Sequence, residues 1–367
     1  MYKEKRKRNL LLVSLSNDQN ISVRSHLYNF LKSKYDKIIF VGDGNIGNDF
    51  EYINWKFSSK KSIWQIVISF FKLIIIFFSS KPSHVISFAP KANLFCNLLQ
   101  KFFGFKHCAV VTGLGELFGI LNSSKSFANT ITNVIYPKGS FWITMNNADS
   151  AILGHRRGVF KEIHDIPGEG YSLKFTEMNF LNRQRTFDVI YVGRIIESKG
   201  VFEFLEAIKI LQNRGTFLNI AIMGCIDLSP ILFDKFSLYV KELTIKYYGY
   251  LSEKEKNEIL LNSKVLVLPS KYGEGLPFIL LEAQDAGCSI VTSTHPGCIR
   301  ALSPDKVDFV SEAIPEAIAD LIPLALHKFE HITPDQISQS RDWIFTRHSP
   351  DATHREYDKI FSAINFY

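Results

Sequence analysis

The sequence predicts an α/β protein of two doubly wound domains, on three observations: its length, a recurrence of short apolar runs, and one Gly- and Pro-rich loop placed after such a run. At 367 residues the chain exceeds one ordinary core and fits two domains of about 180 residues each. With 46% hydrophobic and 22% charged residues, the composition is that of a folded protein and excludes disordered and fibrous classes.

The runs come first. Asn9 to Ser14, Lys37 to Val41, His84 to Phe88 and Cys108 to Thr112 read as buried parallel strands, with intervals between them long enough for helices. The pattern repeats at Asp188 to Val192, Asn219 to Met223, Lys246 to Tyr248, Val265 to Leu268 and Ser289 to Thr292. Between Glu177 and Arg185 the chain turns polar (EMNFLNRQR) just before a strand opens, so the domains are expected at 1–182 and 183–348. Residues 349–367 form a last segment in which Tyr357, Ile360 and Phe361 have helical spacing.

Ile63 to Phe78 is almost wholly apolar apart from Gln65, Ser69 and Lys72. It is shorter than the roughly 20 residues that span a bilayer and carries a charge near its middle. Two readings stay open: a core helix, or a helix lying on a membrane surface with Lys56, Lys60, Lys61 and Lys81 at the headgroups.

The net charge of +7 is concentrated in the first half, where residues 1–180 hold 23 Lys and Arg against 12 Asp and Glu. No nucleic-acid motif accompanies it. An anionic membrane surface, an anionic lipid-linked acceptor or a solvated basic tail each accounts for the excess. Five cysteines without metal or redox spacing suggest reduced thiols and a cytoplasmic setting. The apolar run Leu10 to Leu15 reads as a strand, so no signal peptide is expected.

The loop that could carry chemistry lies in KVLVLPSKYGEGLPFILLEAQDAGCSIVTSTHPG, Lys264 to Gly297, a strand–loop–helix–strand pattern. In open α/β sheets ligands sit beyond the carboxyl ends of strands. Gly273 and Gly275 permit close backbone approach, and the helix N-terminus favours an anion. Glu274 and Glu282 are eight residues apart, roughly 12 Å along a helix at about 1.5 Å per residue. That interval suits a donor sugar at one end and a ribose at the other, with a diphosphate between; a loop charge and a solvated helix residue would give the same spacing. Gly193 and Arg194, then Lys199 and Gly200, follow another strand. Arg194 and Lys199 are candidate diphosphate clamps, a fork and a mobile point charge respectively.

GRIIESKG followed by EGLPFILLEAQDAGCSIVTSTHPG resembles glycosyltransferase family 4, the retaining transferases of GT-B fold. TGLGELF (112–118), NADSAI (147–152) and IPGEGYSLKF (166–175) extend the likeness over most of the chain, toward bacterial members that build O-antigen, capsule or related glycans on a polyprenyl-diphosphate carrier. The resemblance implies two Rossmann-like domains facing across a cleft, with 349–367 crossing back to the first. It implies that Arg194 and Lys199 bind the donor diphosphate, Glu282 the ribose and Glu274 the donor sugar. Backbone groups of Gly193, Gly275, Leu276 and Pro277 line the same site, and Tyr250 and Leu251, after Gly249, stand where the family places the nucleobase. Thr112 replaces a frequent His, while Gly113 and Gly115 keep a tight turn. His155, with Arg156 and Arg157, is either a contact to an anionic acceptor or a surface cluster.

The expected activity is a retaining transfer of a hexose or N-acetylhexosamine from a nucleotide sugar, UDP by preference, to a lipid-linked saccharide. The resemblance implies no metal or cofactor, and the absence of an Asp-x-Asp triplet agrees with that. A nucleotide-sugar epimerase and a catalytically silent binding subunit are the alternatives. The expected location is cytoplasmic or peripheral on the inner face of the plasma membrane. Departures from the family pattern are Ser14 to Ser22, which lacks the usual Gly, and CIRALSPDKVDF after Gly297.

Overall fold

The computed structural model describes residues 8–14, 18–42, 51–55, 63–115, 141–157, 163–176, 183–304 and 308–367, and the side chains of all of these but 18–24, 63, 65 and 154–157. Two compact units result, Met1–Gly170 with Pro350–Tyr367, and Tyr171–Ser349.

In the first unit the strands are β1 (Asn9–Ser14), β2 (Lys37–Gly42), β3 (Tyr52–Asn54), β4 (His84–Phe88), β5 (Lys106–Val111), β6 (Phe141–Thr144) and β7 (Ile163–Asp165). They form one parallel sheet in the order β3-β2-β1-β4-β5-β6-β7. Leu10 to Val13 and Val85 to Ile86 are fully buried, which is why these strands read as unbroken apolar runs. Helix Pro90–Phe103 starts at a proline, where a missing N–H costs nothing, and stops at Gly104 in the left-handed conformation. Beneath it lies a polar knot: Ser87 Oγ is 2.6 Å from Asn93 Oδ1 and 2.8 Å from His107 Nε2, and His107 Nδ1 is 2.8 Å from Asn97 Oδ1. Burial pulls the His107 imidazole down to about 3.

The second unit carries β8 (Phe187–Val192), β9 (Ile220–Met223), β10 (Lys246–Tyr247), β11 (Ser263–Leu268), β12 (Ser289–Ser293) and β13 (Phe309–Ser311). Its sheet runs β10-β9-β8-β11-β12-β13, all parallel. Helices Val201–Asn213 and Pro315–Glu330 pack together and cover one stretch of this sheet, the first through Phe204, Leu205 and Ile208, the second through Ile318 and Ile322.

One expectation is corrected. The division between domains falls at Gly170 rather than after 182, because Tyr171 and Phe175 are buried in the second unit's core. Tyr171 donates to Asp285 at 2.8 Å and Arg341 reaches the same carboxylate at 2.9 Å, which ties 171–176 to this unit. The segment Ile63–Ser80 is a helix with one side in the core, through Leu73, Ile76 and Phe77, and several large apolar side chains exposed on the other. The buried side is that of a core helix. The C-terminal helix, Pro350–Ala363, belongs to the first unit: Lys34 pairs with Asp358 at 2.9 Å and His26 meets His354 at 2.7 Å. All five cysteines are free, and four are buried.

Candidate functional site

Three glycines stand just beyond the carboxyl ends of neighbouring strands: Gly193 after β8, Gly224 after β9 and Gly249 after β10. Gly193 N–H donates to Met223 O at 3.0 Å and Gly224 N–H to Gly249 O at 2.8 Å. A Cβ on Gly224 would lie 1.7 Å from Gly193 O, so the backbones themselves are in contact and no side chain fits between them. The chain then enters a short 3-10 turn, Glu197–Lys199, closed by Gly200 in the left-handed conformation (φ 75°). A Cβ there would meet Pro269 O at 2.0 Å. Glycine at 200 is what lets the loop after β8 lie against the loop after β11.

That apposition brings the predicted residues together. Lys199 Nζ is 2.6 Å from Glu274 Oε1, and Ser270 donates its hydroxyl to the same oxygen at 3.0 Å. Glu274 is 8% exposed. Tyr272 lies beside this pair, with the Arg194 guanidinium 5.2 Å and the Lys199 ammonium 5.4 Å from its ring centroid, a cation–π arrangement that brings both cations to one ring. The Tyr191 hydroxyl is 3.3 Å from Arg194 O and 3.2 Å from Lys199 O, which fixes the turn from beneath. Arg194 itself is exposed.

Gly275, Leu276 and Pro277 lead into helix Phe278–Asp285, whose N-terminus has no side-chain cap. Gly297 packs on this loop so closely that a Cβ would sit 2.2 Å from Glu274 O and 2.8 Å from Gly275 O. Glu282, in the middle of the helix and 4% exposed, is paired: Lys174 reaches Oε1 at 2.6 Å, and Lys256 reaches Oε1 and Oε2 at 2.6 and 2.8 Å. Burial pulls Lys174 down, but the Glu282 carboxylate and then Glu253 outweigh it and leave the ammonium above its ordinary range. Asp285 accepts from Lys174 N–H at 2.7 Å and so seats the backbone that aims this lysine.

The structure thus gathers Arg194, Lys199 and Glu274 into one cluster and gives Glu282 a separate two-lysine clamp. Tyr250 is 61% exposed after β10, and Leu251 packs against the core. Thr112 and Gly113 (φ 142°) follow β5 in the first unit, both half-buried. The side chain of His155 lies outside the described residues. Sequence reasoning missed Tyr272, Ser270, Lys256 and Lys174. Tyr272 and Ser270 stand inside the loop already singled out, and Lys174 inside IPGEGYSLKF; nothing in the sequence marked Lys256, which arrives from helix Glu253–Leu261.

Two parallel six- and seven-stranded Rossmann-like sheets with a cationic and acidic cluster on the second define a GT-B-fold chain. Residues 175–339 match the family described as "Glycosyl transferases group 1". Among relatives, WcaL of Escherichia coli (strain K12), named for colanic acid biosynthesis, is 24% identical over 186 residues, 48% of this chain and 45% of its own. The N,N'-diacetylbacillosaminyl-diphospho-undecaprenol alpha-1,3-N-acetylgalactosaminyltransferase of Campylobacter jejuni is 27% identical over 257 residues, 65% of this chain and 66% of its own. The chain spans about half the length of the first curated relatives it matches, 45% and 48%. Anabaena Alr3699/HepE, solved in complex with UDP and glucose, superposes with a TM-score of 0.75 at 12% identity over 97% of this chain and 100% of its own, a likeness of fold.

Proposed function

We propose that this protein is a retaining glycosyltransferase that moves a hexose or N-acetylhexosamine from a nucleotide sugar, UDP by preference, to a lipid-linked saccharide in bacterial surface-glycan synthesis. The observation that carries this reading is the convergence of Arg194, Lys199 and Glu274 at the carboxyl ends of β8 and β11. A departing diphosphate needs compensating positive charge, and two cations beside an uncapped helix N-terminus supply it without a metal ion. Glu274, held by Lys199 and Ser270, is the acceptor for sugar hydroxyls; as the donor binds, Lys199 turns from the carboxylate to the phosphates. Glu282 is the acceptor for ribose hydroxyls, which replace one of its two lysines. The Campylobacter relative's name specifies a diphospho-undecaprenol-linked acceptor, which supports a lipid carrier here and a reaction at a membrane surface.

The test is incubation with a panel of nucleotide sugars and a polyprenyl-diphosphate-linked saccharide, following release of nucleoside diphosphate. Acceptor-dependent release with the donor's anomeric configuration kept in the product is expected. Interconversion of donor sugars without release would make the protein an epimerase, and tight binding without turnover would make it a silent subunit.

A further inference from the structure

Helix Ile63–Ser80 of the first unit is apolar on two opposite sides. Leu73, Ile76 and Phe77 are buried in the core against Trp55, Phe95 and their neighbours. On the other side Trp64, Val67, Ile68, Phe71, Ile75 and Phe78 are exposed, from 37% at Val67 to 75% at Trp64. At about 100° per residue these six fall within an arc of roughly 100°, so they form one stripe along the helix. The next helix adds exposed Leu98 and Phe102, and Phe78 packs on the edge of Phe103 with centroids 4.9 Å apart, which joins the two helices at one end of the stripe. Scattered apolar residues need no partner; a continuous stripe does.

Charge indicates what covers it. From Tyr52 to Gly115 the sequence contains no Asp or Glu and eight Lys. Lys72 flanks the stripe, and Lys81 and Lys101 stand at the carboxyl ends of the two helices, all three exposed. In a two-fold pair with a second copy of this chain, such a face would meet lysines with lysines and no carboxylate to answer them. An anionic bilayer surface answers both features: the boundary below the headgroups takes the apolar stripe, and lipid phosphates take the ammonium groups. The helix cannot cross the bilayer, because its opposite side builds the core; among the described residues no helix is long and apolar enough to span one.

We propose that the solvent face of Ile63–Ser80 is the surface by which this protein docks in the plane of an anionic membrane. It would serve the lipid-linked acceptor of the proposed function, but the vesicle test below needs no turnover, so either can fail without the other. The full chain is floated with phosphatidylcholine vesicles with and without phosphatidylglycerol, at low and high salt. Expected is flotation with the anionic vesicles, weakened by salt and at least about tenfold weaker with phosphatidylcholine alone. Ile68→Gln/Phe71→Gln/Ile75→Gln, all at exposed positions, should lower partitioning by about tenfold or more, with circular dichroism and nucleoside diphosphate affinity unchanged. Lys72→Gln/Lys81→Gln/Lys101→Gln should lower it several-fold on the anionic vesicles and narrow the lipid-charge preference by the same factor. Indifference to phosphatidylglycerol, or undiminished flotation of the apolar variant, overturns the proposal. A dimer in light scattering that the apolar variant abolishes, without flotation of the parent, would give the face to a second copy instead.

Discussion

The two units share a strand order and differ in what they do with polar groups. In the second, the loops after β8 and β11 pair Lys199 with Glu274, and helix Phe278–Asp285 sets Glu282 between Lys174 and Lys256, all at low exposure. In the first, the polar groups around helix Pro90–Phe103 are neutral, buried and bonded to one another, while apolar side chains face solvent. One topology therefore supports a charged edge in one case and a neutral buried network beside an exposed apolar face in the other. Residue types in the loops, not strand order, decide which.

The largest expected contrast is catalytic. Lys199→Ala should lower turnover by about 10² to 10³, the usual loss when a positioned charge stabiliser is removed, whereas Lys37→Ala, which breaks the exposed pair with Glu51 in the first unit, should leave it within about twofold. Comparable losses would break the comparison; steady-state kinetics decides. Arg194→Ala should weaken nucleoside diphosphate binding by about 2 to 4 kcal/mol in calorimetry, and unchanged affinity would remove Arg194 from the site.

Next in size is backbone strain. Gly200→Ala places a Cβ in a left-handed residue 2.0 Å from Pro269 O and should destabilise the second unit by more than about 2 kcal/mol. Gly104→Ala, left-handed at φ 67° with nothing within 4 Å, should cost only the conformational share, about 1 kcal/mol. Denaturant midpoints of the two variants measure the difference.

The smallest effect concerns acid. His107, with a folded value near 3, stays neutral when folded but takes a proton when unfolded below its ordinary value of about 6.5. Its contribution is thus whole above that value and declines as pH falls toward 3. Asp149 opposes it: burial raises its carboxyl to about 7, a contribution that declines as pH rises from about 4 toward 7. His107→Gln should flatten the loss of first-unit stability between pH 6.5 and 4, seen in denaturation at several pH values, and Asp149→Asn should steepen it.

The central strands were legible because both faces are covered, so every residue from Leu10 to Val13 or Val265 to Leu268 is apolar. The strands that escaped notice, β3, β6, β7 and β13, are three or four residues long. Three of them lie at sheet edges, where partial exposure leaves no run to see. At the site, Arg194, Lys199 and Glu274 were legible since glycines and strand ends announce them. Lys256 was not: it sits on a helix among other charges, and only tertiary packing turns it toward Glu282. The polar stretch 177–185 pointed to a boundary, but Tyr171 and Phe175 upstream are core residues of the second unit.

The first unit is finished by residues that follow the whole second unit in the chain. Phe361 and Phe366, both fully buried there, leave the ribosome after the entire second unit, Tyr171–Ser349. At roughly 5 to 20 residues per second that delay is on the order of ten to forty seconds. Throughout it the nascent Rossmann layer waits with an open seam where Pro350–Ala363 will lie. The second body can complete itself on emergence, and the first closes only once Pro350–Ala363 has followed it out.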